Sequence, residues 1–208
     1  MYRYTPMDKD IMIIRDPEVA KLFADETRRR ILHMLRKEDM PVSDLAKALD
    51  RNPSSIIHHI NLLMEAGLVE EVRTEKVRNM VQCFYGSKAD KFIISYSLSD
   101  ALSRDEDYST WREDVYQRMV DGLKDFGIQI PEDKIPIVKE LVSTCYEKER
   151  KAFEESVERQ SNPANLQSHV QRALVRLLTQ IELSKDSEYV RAVKQLSERI
   201  NAAEARQR

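Results

Sequence analysis

Apolar side chains recur at helical spacing along most of the chain, and the breaks in that spacing mark its parts. Ile11, Met12, Ile13 and Ile14 form a short apolar patch in an N-terminal arm, suited to packing or pairing. Asp16-Pro17 then opens a short helix, with Asp16 as N-cap and Pro17 as first helical residue. A second helix starts at Asp25 or Thr27 and turns Ile31, Leu32 and Leu35 inward. Val42, Leu45, Ala46 and Leu49 share one face of a third helix over residues 42–49. Asp50-Arg51 is a turn, and Asn52-Pro53 begins a fourth helix with the same cap-plus-proline signal. Gly67 stops that helix, because glycine adopts the left-handed conformation of a helix end at no steric cost. Here the period changes. LVEEVRTE and MVQCFYG are rich in Val, Tyr and Phe, and EKVRN between them makes a hairpin tip.

Past residue 87 the pattern is helical again. Thr110-Trp111-Arg112-Glu113 reads as a capping box, followed by Val115, Met119, Leu123 and Phe126 at helical spacing and by Gly127 as a stop. A long charged helix is expected over residues 131–160, with Ile135, Val138, Val142, Cys145 and Tyr146 along one side. Asn162-Pro163 starts a further helix that carries Leu166, Val170, Leu174, Leu177 and Ile181. A last one holds Tyr189, Val193, Leu196 and Ile200. The fold class is therefore mainly α with a small β-hairpin.

Composition narrows the function. The chain has 208 residues, 41% hydrophobic and 34% charged, which suits a folded, helix-rich protein. Four glycines are too few for a Gly-rich nucleotide loop or a turn-rich all-β domain. A net charge of −2 means that any nucleic-acid surface is a local patch. Cys83 and Cys145 form no CxxC pair, so reduced thiols are expected. With no long apolar run and no signal-like N-terminus, a cytoplasmic protein with no membrane partner is expected.

The fourth helix holds the unusual chemistry, in NPSSIIHHINLLMEAG. At about 100° per residue, Ile56, Ile57, Ile60, Leu63 and Met64 fall in one arc, the expected core face. Ser54, Ser55, His58, His59, Asn61 and Glu65 take the opposite arc. Metal chelation needs ligands three or four residues apart on a helix, and the consecutive His58 and His59 diverge by about 100°. No metal, no cofactor and no catalytic motif is expected, and hence no enzyme. A solvated polar face remains the plain alternative.

The run from Ala24 to Gly86 resembles the ArsR-like winged helix-turn-helix regulators. The landmarks are Thr27-Arg28-Arg29-Arg30-Ile31-Leu32, Val42-Ser43-Asp44-Leu45-Ala46 and Glu65-Ala66-Gly67-Leu68-Val69, in that order. Ser54-Ser55-Ile56-Ile57-His58-His59-Ile60 matches the family's recognition-helix pattern, and the layout with a helical tail looks most like archaeal members. Two departures stand out. Asp50 occupies a turn position where the family usually places glycine, and Val42-Ser43-Asp44-Leu45 lacks the cysteine pair of metal-sensing members. His169 is the one histidine of the second half, so the family's other metal site is not expected either.

The resemblance implies a winged helix-turn-helix DNA-binding domain with its arm over residues 1–90, then a helical dimerisation or regulatory domain over 91–208. It implies a sequence-specific regulator, in the main a repressor, acting as a homodimer on double-stranded DNA. The recognition helix would enter the major groove and the hairpin wing would lie along the backbone or minor groove. The DNA-binding candidates are Arg51, Ser54, Ser55, His58, His59 and Asn61, with Arg73, Lys76 and Arg78 as a basic wing. Arg28, Arg29 and Arg30 are expected to form ion pairs within the chain, with Asp25 or Glu26 and neighbours. The competing reading is a winged-helix subunit that binds protein in a transcription or chromosome-maintenance complex. A small molecule, temperature or stress are all open as the signal.

Overall fold

Three side-chain caps start the helices of the first half. The structure, a computed structural model, describes residues 11–77, 80–159 and 168–205. In it, Asp16 Oδ1 accepts the Glu18 N–H at 2.8 Å, Asp25 Oδ1 that of Arg28 at 2.8 Å, and Asn52 Oδ1 that of Ser54 at 2.8 Å. Each cap satisfies a backbone donor that a helix start would otherwise leave unpaired. They open α1 (Pro17–Lys21), α2 (Glu26–Leu35) and α4 (Pro53–Glu65), with α3 (Val42–Leu49) between the last two. α3 ends on Asp50 at φ 50°, where the Arg51 N–H reaches back to the Ala46 carbonyl. α4 ends in the same way at Gly67 (φ 70°), with Leu68 N–H on Leu63 O. Both are Schellman-type closures. Aspartate thus performs, at some conformational cost, the job that glycine does after α4.

The chain divides into two compact units, Met1–Ile94 and Ser95–Arg208. In the first, Ile31 and Leu35 of α2, Leu45 and Leu49 of α3, and Ile56, Ile60 and Leu63 of α4 close a core with Leu68 and Val69. The hairpin is β3 (Val69–Val77) with β4 (Met80–Ser87), antiparallel, and a register shift between Glu71 and Arg73 marks a bulge. A short strand β2 (Met40–Pro41) adds to β4 to give the order β2-β4-β3. Proline, lacking an N–H, is tolerated there because β2 is an edge. The Gln82 amide donates to Ser43 Oγ at 3.0 Å and ties the sheet to α3.

The apolar patch of the arm has a partner that local pattern did not predict. β1 (Ile11–Ile14) runs parallel to β5 (Lys91–Ile94), with Ile14 opposite Ile94. Phe23 and Phe92 meet nearby, ring centroids 5.8 Å apart.

The second unit begins with α5 (Ser99–Leu102) and α6 (Glu106–Gly122). α6 starts a turn before the Thr110 box, because Asp105 Oδ1 already caps it by accepting the Tyr108 N–H at 2.9 Å. Its buried face is Tyr108, Tyr116 and Val120, whereas Met119 is exposed. A single 3-10 turn, Glu132–Lys134, precedes the long helix α7 (Ile135–Glu158). Val120, Val138 and Val142 form its core cluster, with Leu123, Ile130, Ile135 and Leu196 packed around them. α8 (Ser168–Lys185) and α9 (Ser187–Ala205) both lie against α7. The expected start at Asn162-Pro163, and Leu166 with it, lies outside the described residues.

α7 also carries a buried acid. Glu154 accepts hydrogen bonds from Ser95 Oγ at 2.6 Å and from the Tyr96 N–H at 2.8 Å, fastening the first residues of the unit to the helix. Burial and two donors make this a well-paired carboxylate. No helix among the described residues is long and apolar enough to cross a membrane.

Candidate nucleic-acid interface

The core face of α4 is narrower than its pattern suggests. Ile56, Ile60 and Leu63 are buried, but Ile57 is 47% exposed and Met64 is exposed too. Both lie at the margin of the apolar arc, whose centre and other edge are the buried part. Ile57 thereby joins Ser54 and Asn61, its neighbours one turn away at i−3 and i+4, and the adjacent His58 on one exposed edge. Sequence reasoning missed this residue. The available signal was the place of Ile57 at the far edge of an apolar arc of roughly 120° that begins at Leu63.

Ser54 and Ser55 stand exposed at the first turn of α4, but their backbone N–H groups are already engaged. Ser54 N–H donates to Asn52 Oδ1 at 2.8 Å and Ser55 N–H to Asn52 O at 3.0 Å. These two amides are therefore not free to hold a phosphate. Their hydroxyls are what this end offers a partner. Arg51 is exposed in the turn just before them.

His59 departs from the polar edge. It is half-buried, and its Nδ1 is buried without a hydrogen-bond partner among the described residues. Its ring lies 5.8 Å from that of His58, tilted by 54°. Burial lowers its pKa below the ordinary 6.5; Asp25 opposes this, while Arg28, His58 and Arg51 add to it. The site thus favours the neutral imidazole. A base whose folded pKa is depressed contributes stability that is present above the unfolded value and lost as pH falls through the folded one. The urea midpoint should therefore drop between pH 7.5 and 5 more steeply in the native chain than in His59→Gln. Equal slopes in the two proteins would remove His59 as the source.

On the wing, Arg73 forms an ion pair with Glu75, and its guanidinium sits 3.6 Å from the Phe84 ring centroid. Lys76 is exposed and forms no ion pair among the described residues. Arg78 lies outside the described residues. Glu70, Glu71 and Glu75 share β3 with Arg73 and Lys76, so the described part of this strand is mixed in charge rather than basic. Of the arginine run, Arg28 Nε donates to Leu22 O at 2.6 Å, and Arg29 Nη1 to Phe23 O and Ala24 O at 2.5 and 2.7 Å. They cap the carbonyl end of the preceding turn. Among the described residues, no group of three or more His, Cys, Asp or Glu side chains is placed to hold a metal ion.

What the arrangement offers is a helix edge of two hydroxyls, an imidazole, an amide and one aliphatic side chain. Such an edge can donate and accept hydrogen bonds and make one apolar contact, which is the chemistry of reading base edges. Residues 25–71 match the model of the bacterial regulatory proteins of the arsR family. The chain is also 38% identical, over 55 residues, to the transcriptional repressor SdpR of Bacillus subtilis (strain 168). That similarity covers 26% of this chain and 61% of the repressor's own length. The second unit lies outside the family match. Caps, turn, exposed helix edge and hairpin, together with that match, identify residues 25–71 as a helix-turn-helix domain of the arsR family.

Proposed function

We propose that the protein is a sequence-specific DNA-binding transcriptional repressor that acts as a homodimer. The observation that carries this reading is the exposed edge Ser54, Ile57, His58 and Asn61 on α4, within a domain that ends in a hairpin. On this reading α4 enters the major groove. The serine hydroxyls, His58 and Asn61 supply hydrogen bonds to base edges or phosphates, and Ile57 supplies an apolar contact to a thymine methyl. Arg51 and Lys76 contact phosphates from the turn and from the wing, whose hairpin follows the backbone or minor groove. Half-buried His59 orients α4 and touches DNA at most at its edge. Two copies read half-sites about one helical turn, ~34 Å, apart.

A titration against genomic fragments at two salt concentrations tests the reading. A footprint and salt-dependent affinity are expected, with a shallow slope because the described wing carries acids beside its bases. The Ser54→Ala/His58→Ala double variant should lose about 10-fold or more in specific affinity, in line with ~1–3 kcal/mol per good base contact, and keep its non-specific affinity. Lys76→Ala should lower both alike. No binding at low salt would refute a DNA regulator and leave the other reading, a winged-helix subunit that binds protein, which the mixed charge of β3 favours.

A further inference from the structure

α8 is apolar on two opposite sides. Val175, Thr179 and Leu183 are buried within the unit. Val170, Leu174, Leu177 and Ile181, the residues whose helical spacing singled them out in the sequence, are the exposed ones, Leu177 at 55%. At about 100° per residue these four fall within an arc of roughly 60°, on the far side of the helix from the buried three. A one-sided helix of a self-sufficient bundle has no use for this second stripe, and contiguous exposed apolar surface marks an interaction site.

We infer that the stripe Val170, Leu174, Leu177 and Ile181 is the seam through which two copies of this chain pair, α8 against α8 in antiparallel orientation. The inference rests on the homodimer proposed above and names where that dimer closes. The spacing supports it. Steps of four, three and four residues read the same in both directions, so a two-fold axis across the middle of the helix sets Leu174 against Leu177 and Val170 against Ile181 of the copy. A two-fold interface requires such a self-complementary patch, and steps of four and three are those of knobs-into-holes packing. Charge supports it too. Ala173, Leu178, Gln180 and Ser184 flank the stripe without a charge, Arg172, Arg176 and Glu182 fall toward the buried side, and Lys185, beside the stripe, sits at the helix end, so an antiparallel pair holds its two copies at opposite ends. Two identical faces can therefore meet without setting like charges against each other.

Sedimentation velocity on the full chain tests this with Leu177→Glu, whose exposed position leaves the bundle intact by circular dichroism. A dimeric native protein and a variant at least 100-fold weaker in self-association are the expected result. A native dimer with an equally dimeric variant overturns the seam and leaves the homodimer standing. A monomeric native protein overturns both. Cysteine pairing in a Cys83→Ser/Cys145→Ser background gives a second readout that does not depend on that variant folding. Under diamide, a mixture of Leu174→Cys and Leu177→Cys chains should form an intermolecular disulfide that neither chain forms alone. Efficient cross-linking of each chain with itself would mean parallel pairing and would overturn the antiparallel seam.

Discussion

Truncating Ile56 to alanine is expected to lower the free energy of unfolding by about 2–5 kcal/mol, while the same truncation at Ile57 changes it by less than about 1 kcal/mol. The two isoleucines are adjacent and chemically identical, but Ile56 is fully buried and Ile57 is 47% exposed. Removing the Ile56 side chain leaves a cavity among α2, α3 and α4, and the loss is a large share of the roughly 5–15 kcal/mol that holds a domain together. DNA affinity should respond in the opposite way. Ile57→Ala should weaken specific binding several-fold, and Ile56→Ala, at temperatures where it remains folded, should bind nearly as the native chain does. Urea denaturation and a footprint titration on both variants check this. Similar stability losses in the two would mean that Ile57 is a core residue.

The second large effect is expected at Glu154. Glu154→Ala strands the Tyr96 N–H, a donor at 2.8 Å, and takes from the buried Ser95 Oγ its 2.6 Å acceptor, leaving it only its contacts with Ser97. Hydrogen bonds to a charged acceptor each contribute about 1.5–3 kcal/mol, and unpaired buried donors are costly, so a loss of about 2–4 kcal/mol is expected. Hydrogen exchange should show the first turns of the second unit opening while α2 to α4 keep their protection. A variant with native stability and unchanged exchange at residues 95–102 would show that water replaces the carboxylate at no cost.

The features legible in the sequence are those whose cause is local. Asp16, Asp25 and Asn52 cap as expected, because a cap needs only its own side chain and the next two or three residues. Asp50 takes the left-handed turn for the same reason. What escaped depends on neighbours distant in the chain. KFII reads as a strand only beside Ile11–Ile14, some 80 residues earlier. Ile57 and the outer stripe of α8 show the complementary failure. Periodicity tells which residues share a face, but which face is buried depends on what packs there. For α8 the more regular stripe, Val170, Leu174, Leu177 and Ile181, is the outer one. At the candidate site, the exposed edge was legible in Ser54, His58 and Asn61. The half-burial of His59 and the stacking of Arg73 on Phe84 were not, since α2 and β4 cause them.

The parallel pairing of β1 with β5 has a consequence for biosynthesis. The strands enclose nearly the whole helix-turn-helix and hairpin, so the first residues of the domain gain their backbone partners only after Ile94 has left the ribosome. Pairings this distant in sequence form late, because loop-closure entropy must be met before they contribute. A nascent chain halted at Gly86 would hold the whole family-matched segment and still expose Ile11–Ile14 as an open apolar strand edge. Such an intermediate invites chaperone capture or aggregation, which eight further residues would end.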